Sequence, residues 1–521
     1  MRHKGLTGWR YDCKCNYMIT LVTEPRASIF GDLREWGVER TAEGKAVEGW
    51  YRNSECAEES RVTPTDKVGL GDWIVNDRKL PHGLGWLADQ AKARGLKFGL
   101  WVEPEMVNTN SELCVAHPDW MMQEPHRRTL FGRGGSQNTL DLCNGEVRDY
   151  LFNSIDATYS DIPDLAYVKW DANGPISNLG APSLPRDRQA NLWFDYTKGL
   201  YDLLARFQAK RPGVMTQACA SGGGHMDFGF LRYADEFWTS DRTDPVSRVM
   251  IQWGCSFFYP ASAMACHVTA SPNHQTKRET PLSYRFDVAM SGRLGFEFHP
   301  KDLSPGELAY AKSRVVQYKR IRPTVQQGDL YRLVSPYENP YAALMYVNGD
   351  KDKAVVFALG LDREINVVRR LPLQGLDPAA YYSVDGGEVM SGEALMRVGL
   401  VLALRGKYAS HVYELMKVER PAEQAQEGAE ILWTRSICVE TNRYIGWPTV
   451  CRLRNGDLLA VFSGDRDSHV CPWGKVQMVR STDGGETWGV PVTIANTTMD
   501  DRDAGIVQMP DGEIVVTYFT S

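Results

Sequence analysis

No run of about twenty apolar residues interrupts the 521 residues of this sequence, so no stretch has the length of a membrane-crossing helix. The opening segment, MRHKGLTGWRYDCKCNYM, lacks the apolar core of a secretory leader. Blocks of lysine and arginine are missing too, and the formal net charge of −6 is small for the length. Neither nucleic acid nor a membrane is an expected partner. The 11 cysteines are odd in number and scattered, which speaks for free thiols in a reducing, cytoplasmic compartment rather than a disulfide framework. Cys13 and Cys15 form the one tight pair, and no second pair completes a tetrahedral site. His267 and His274 stand seven apart beside Cys266, too little for a metal centre. No metal and no cofactor are expected.

What the sequence does hold is enough apolar material, 43% hydrophobic and 11% aromatic, for two or three domains. Residues 66–322 alternate strand-like and helix-like segments. KFGLWVEP, QNTLDLC, LAYVKWD, VMTQACA, EFWTSD, CSFFYPA and GFEFH are the expected strands. Leu84, Leu87, Ala88 and Ala91 make one helical stripe, and Val147, Tyr150, Leu151 and Ile155 another. Long helices are expected over 187–210 and 304–321, and Gly95 sits where the first helix should end. This alternation argues for an α/β fold with a (β/α)8 TIM-type barrel. Only seven strands can be counted, however, and NYMITLVTE, residues 16–24, is a further strand candidate. Residues 323–418 change to short β runs and predict an antiparallel β-sandwich domain. A polar linker over 419–430 leads to a last β-rich region, 431–521, with a tight turn at Asp483-Gly484-Gly485.

In a barrel of this kind the pocket is built at the C-terminal ends of the strands. LAYVKWD ends there in charge. Period two puts Tyr167, Lys169 and Asp171 on one face and Ala166, Val168 and Trp170 on the other. An ammonium beside Asp171 favours its ionised form, which suits a nucleophile; spacing alone leaves a structural ion pair as the alternative. EFWTSDRTDP repeats the pattern, with Phe237, Thr239 and Asp241 expected on one face and Asp241 ending the strand. Asp244, before Pro245, reads as a helix N-cap. Two carboxylates offered by different strands are what glycoside hydrolysis requires. The glycines of CASGGG let backbone approach a ligand. Trp101 suits a sugar platform, or the core.

KFGLWVEPEMV, YVKWDANG, CASGGG, FWTSDRTD and SPNHQTKR, in this order and spacing, resemble glycoside hydrolase family 36, the alpha-galactosidases of clan D. LGDW at 70–73, VAMSGRLGFE and the β domain to about residue 417 are also similar. The resemblance implies Asp171 as nucleophile and Asp241 as general acid/base. It implies Trp101 and Lys169 as contacts to the galactose ring and hydroxyls, and Cys219 and Gly222 as lining near its C2 side. It further implies double displacement with retention, for which the carboxyl groups stand about 5–5.5 Å apart. His225 stands where the family often has arginine, read as a change of small consequence.

Two departures accompany the resemblance. No Asp-Asp-Gly-Trp motif precedes LGDW, residues 1–65 do not resemble the family, and its N-terminal β-sandwich is missing; a reading-frame shift or an internal start would explain all three. RSTDGGETW is similar to the Asp-box of sialidase-type propellers, and 431–521 to one or two of their blades, fewer than a closed propeller needs. The arginine expected before the blade's proline is replaced in GWPT. The function implied is removal of terminal alpha-galactosyl residues from sugars such as melibiose and raffinose, by a protein whose oligomeric state is open. The alternatives are an alpha-N-acetylgalactosaminidase, a raffinose-synthase-like galactosyl transferase, or an inactive fragment that binds sugar.

Overall fold

The computed structural model describes residues 7–13, 17–23, 69–75, 80–124, 126–132, 136–298, 302–420, 434–441 and 443–521. Most of segment 1–65 and nearly all of linker 419–430 lie outside them. The chain divides into two compact units, Met1–Pro421 and Ala422–Ser521.

The first unit is built on a ring of strands. Two of them, β1 (Thr7–Cys13) and β2 (Tyr17–Thr23), form an antiparallel hairpin, so NYMITLVTE does supply a strand. Then come β3 (Leu96–Val102), the short pair β4 (Met106–Asn108) and β5 (Gln137–Thr139), and β6 (Tyr167–Trp170). After them follow β7 (Met215–Ala218), β8 (Glu236–Trp238), β9 (Met264–Thr269) and β10 (Arg293–Glu297). In the order β10-β9-β8-β7-β6-β3, six of these run parallel in one curled sheet, and the hairpin joins its two edges. The α/β class therefore holds, but eight parallel strands do not: β2 runs antiparallel to β3.

Two expected strands are corrected. QNTLDLC contributes only β5, which pairs with β4 outside the ring. CSFFYPA is the end of helix α5 (Pro245–Cys255) and a turn, and the strand comes later, at β9. QNTLDLC is buried although half of it is polar, and Phe257 and Phe258 of CSFFYPA are exposed, so a short run without a resolved period does not separate strand from turn.

Helices cover the sheet where their stripes demand it. Leu84, Leu87 and Ala91 of α1 (Gly83–Ala93) are buried, and Gly95 ends the helix at φ 72°, its N–H donating to the Lys92 carbonyl at 2.8 Å. Between β4 and β5 lies the short α2 (Glu112–Ala116). Val147, Leu151 and Ile155 are buried on α3 (Gly145–Ser160). The helix expected from 187 opens as a 3-10 turn and becomes α4 (Leu192–Lys210). Next come α5 (Pro245–Cys255) and α6 (Leu282–Ala289). The last helix, α7 (Pro305–Gln327), starts at a Ser304–Glu307 capping box and continues through Pro323, past its expected end.

An antiparallel β domain follows. Its six-stranded sheet has the order β11 (Asp329–Val334), β12 (Tyr341–Val347), β13 (Lys353–Gly360), β18 (Ser410–Val418), β15 (Tyr381–Val384), β16 (Val389–Ser391). A second sheet pairs β14 (Asn366–Leu371) with β17 (Leu400–Arg405), and α8 (Gly392–Arg397) lies between β16 and β17 in the chain. All of β12 is buried because both its faces are covered. Tyr341, Ala343 and Met345 pack with Leu402 and Leu404 of the small sheet, while Ala342, Leu344 and Tyr346 join the barrel core.

The second unit holds a four-stranded antiparallel sheet, β19 (Tyr444–Arg452), β20 (Leu458–Arg466), β21 (Lys475–Ser481) and β22 (Val492–Ala495). The hairpin of β23 (Asp501–Gln508) and β24 (Ile514–Thr520) completes it. Ile506 and Ala504 share a core with Leu459, Val461 and Val476.

Candidate active site

Strand β6 sorts its side chains as period two requires. Val168 and Trp170 enter the helix-facing core; Tyr167 and Lys169 face the barrel interior. At the floor, Glu236 Oε1 accepts the Tyr167 hydroxyl and the Gln217 amide, both at 2.6 Å, and its Oε2 lies 2.6 Å from Arg293 Nε. Lys169 stands above this layer, in register with Gln217. Asp171 comes next, just past the strand end.

Asp171 is 4% exposed. Its Oδ2 accepts the Trp101 indole N–H at 2.9 Å and lies 4.0 Å from Lys169 Nζ, and its Oδ1 accepts the Ala172 N–H at 2.9 Å. Burial alone would push this carboxyl up. The Lys169 ammonium, together with hydrogen bonds from Trp101, Cys219 and Asn173, outweighs it and holds Asp171 below the usual carboxylate range. The Cys219 thiol moves the other way: burial and the charge of Asp171 hold it well above its ordinary value, so it stays protonated and donates.

Asp241 arrives by a different route from the one expected. Strand β8 has only three residues, and its inward pair is Glu236 and Trp238; Phe237 packs in the helix-facing core. Phe237, Thr239 and Asp241 therefore do not share a strand face, because alternation lapses where the strand stops at Trp238. The turn is held instead by Arg248 of α5. Its Nε donates to the Arg242 carbonyl at 2.9 Å and its Nη2 to the Ser240 carbonyl at 2.6 Å, and Nη1 bonds Thr239 Oγ1. The same guanidinium lies 4.3 Å from the Trp238 ring centroid. This turn brings Asp241 Oδ1 to 2.9 Å from the Trp238 indole nitrogen, which donates to it, while the residue stays solvent-exposed. Asp244 caps α5, accepting the Ser247 N–H at 3.0 Å.

All six residues singled out in the sequence fall in one cluster. Lys169 Nζ lies 5.2 Å from the Trp238 ring centroid, so contacts run from Trp101 through Asp171, Lys169 and Trp238 to Asp241. Gly222 closes the other side. Its φ is +91°, and a Cβ there would stand 2.9 Å from the Asp241 nitrogen. Only glycine lets the 219–224 backbone come this close. Trp101 is almost wholly buried and rests 6.4 Å from Trp73 of LGDW, centroid to centroid.

Two further residues escaped the sequence reading. Glu103 and Glu105 both belong to EPEM, in which no residue was given a role. Glu103 accepts the Asn173 N–H and is buried without a partner for its second oxygen. Burial and the charges of Asp171 and Glu105 push it well above the carboxylate range. Glu105 takes donors from Trp170, Tyr196 and His225. Strand-end position was the available signal, and two carboxylates flanking Pro104 carried it. A cavity of about 630 Å³ lined by Trp170, Phe207, Arg211, Tyr233 and Arg322 lies elsewhere and includes none of the six residues. Among the described residues, no three of His, Cys, Asp and Glu converge as metal ligands would.

Residues 48–328 match the family described as Melibiase, and residues 341–415 match the glycosyl hydrolase family 36 C-terminal domain. Alpha-galactosidase AgaA of Geobacillus stearothermophilus is 42% identical over 357 residues, 68% of this chain and 49% of its own length. Alpha-galactosidase Mel36A of Lactobacillus acidophilus is 37% identical over 356 residues, 68% of this chain and 48% of its own. The crystal structure of the GH36 alpha-galactosidase AgaB from Geobacillus stearothermophilus aligns over 67% of this chain and 48% of its own, with a TM-score of 0.65 and 42% identity. Structures of substituted AgaA hold raffinose in one case and stachyose in another. The chain spans about half the length of the curated relatives it matches.

Proposed function

The chain belongs to the melibiase family, glycosyl hydrolase family 36, and from this premise we infer that it is a retaining alpha-galactosidase acting on galactosides of the raffinose type. Asp171 is the nucleophile. Buried, anionic and aimed by Trp101, it attacks the anomeric carbon and forms a galactosyl ester. Asp241 gives a proton to the departing oxygen, then takes one from the water that hydrolyses the ester. Their settings suit this division: the nucleophile is enclosed beside an ammonium, and the acid/base is open to water. Lys169 and Trp101 hold the sugar's hydroxyls and ring, and Cys219 and Gly222 fit near C2.

The observation that carries the reading is the chain of contacts from Asp171 through Lys169 and Trp238 to Asp241. The relatives add support. The aspartates replaced in the raffinose and stachyose complexes of AgaA lie as far apart in sequence as Asp171 and Asp241. Hydrolysis of an aryl alpha-galactoside tests it: the purified chain should turn the substrate over, and Asp171→Asn should abolish turnover. Equal rates in both proteins would refute it.

For the region from residue 431 onward we propose a partial sialidase-type propeller. The four-stranded antiparallel sheet is one blade, and the turn after β21 behaves as an Asp-box. There Asp483 accepts the Ser481 hydroxyl at 2.7 Å and the Thr487 N–H at 2.9 Å, and hydrogen bonds from Thr487 and Ser481 hold it far below the carboxylate range. The Trp488 indole donates to the Gly485 carbonyl at 3.2 Å. Free cysteines at 114, 143, 219, 255, 266, 438, 451 and 471 suit a cytoplasmic setting.

A further inference from the structure

The glycine loop between β7 and β8 touches both proposed catalytic aspartates. Cys219 donates to Asp171, and the backbone at Gly222 lies against the Asp241 nitrogen. No helix stiffens residues 219–229. An Ala220–Gly223 bridge and the Tyr259 hydroxyl, donating to the Met226 carbonyl at 2.7 Å, hold part of the loop, and His225 ties it to the end of β3. Its Nε2 lies 2.8 Å from Glu105 Oε1, and its ring stacks on Phe230 with centroids 4.6 Å apart at 22°. The histidine side chain is 15% exposed and that of Glu105 only 4%.

Glu105 is a buried junction of three elements. Oε1 also accepts the Trp170 indole N–H of β6 at 3.1 Å, and Oε2 accepts the Tyr196 hydroxyl of α4 at 2.9 Å. Both donors are neutral. Among the described residues, His225 is the one basic side chain within ion-pairing distance of Glu105. A carboxylate so enclosed is costly without a compensating charge.

We propose that the His225–Glu105 ion pair is the latch that fastens the glycine loop across the two aspartates, and that loss of the imidazole proton opens it. This deepens the galactosidase reading and rests on it for its catalytic consequence. The groups facing His225 are Glu105 from the end of β3, Asp171 from the end of β6 and Asp227 from its own loop, with Phe230 beneath the ring. Asp227 is in turn bonded by Tyr201 of α4 at 3.1 Å. Burial disfavours the imidazolium, but these three carboxylates outweigh it and hold His225 above the ordinary histidine value. A group raised in the folded state stabilises it fully below its unfolded value, and that contribution disappears as pH rises through the folded one. The latch is therefore closed below the folded-state value of His225 and opens as pH rises through it.

Cys219, 1% exposed under the loop, reports on the latch without any need for turnover. Its alkylation by iodoacetamide, mapped by mass spectrometry on the full chain, should be slow in the wild type and in His225→Arg, which keeps a cation. It should be roughly tenfold faster in His225→Gln at the same pH. The wild-type rate relative to His225→Arg should climb with pH as the imidazole titrates, since the thiol's own ionisation is common to both. Rates that do not separate Gln from wild type, or a wild-type/Arg ratio flat with pH, would overturn the latch. For hydrolysis of an aryl alpha-galactoside, His225→Arg should carry kcat/KM to higher pH than the wild type. If no variant hydrolyses the substrate while alkylation follows the expected pattern, the galactosidase reading fails and the latch stands.

Discussion

Asp171 and Asp241 are the same residue type in opposite surroundings, one enclosed and one solvent-exposed, and the difference fits the separate roles proposed for them. Asp171 owes its ionisation to Lys169, two residues back on the same strand face, because burial by itself would favour the protonated acid. Lys169→Met should therefore raise the Asp171 pKa and carry the acidic limb of the kcat/KM profile to higher pH, with turnover falling at neutral pH. A profile whose acidic limb does not move would assign the anion's stability to the hydrogen bonds from Trp101, Cys219 and Asn173. The sign follows from linkage: a carboxyl depressed in the folded state stabilises it above the unfolded pKa, and that contribution is lost as pH falls through the folded one. His225 shows the limit of reading residues singly. Its exchange for arginine looked minor until Glu105, 120 positions away, proved to be its partner.

At the scale of elements, the decisive piece is the turn from β8 into α5. Asp244 caps the helix, binds Ser247 and pairs with Arg278, and it is fully buried. Asp244→Ala should cost about 1 kcal/mol from the lost cap and more from the unpaired arginine, read as a lowered Tm. kcat should also fall, since Asp241 lies three residues before the cap. A lowered Tm with kcat unchanged would detach the cap from the catalytic turn. The cap was legible in the sequence because Asp-Pro at a helix start is a local signal. The route of Asp241 was not, because a three-residue strand is too short for alternation to reach beyond its end, and Arg248 holds the turn from within the following helix.

The whole molecule contains separate cores. Among the described residues, Leu459, Val461 and Val476 belong to a core within the second unit. Leu459→Ala removes a side chain that is 3% exposed and should cost about 2–5 kcal/mol. Scanning calorimetry should show it lowering one transition while another, belonging to the barrel, keeps its Tm. A single transition shifted as a whole would mean that the two units unfold together. The ring belongs to this scale too. Seven strands were countable because apolar runs mark burial. Two of the seven were misplaced, and the hairpin that joins the sheet edges appears only when β1 meets β10, nearly the length of the barrel away in sequence.

What the sequence determined by itself is everything that depends on neighbours a few positions apart. That includes the shared face of Lys169 and Asp171, the stripes of α1 and α3, the Gly95 stop, the Asp244 cap and the Asp483 turn. Period and capping are local, so the order of residues suffices to state them. Only the tertiary structure decided which strands close the ring, how Asp241 reaches Trp238, and why a buried glutamate at the end of β3 meets a histidine from a glycine loop. Those contacts join residues brought together by the curl of the sheet, and no spacing along the chain encodes them.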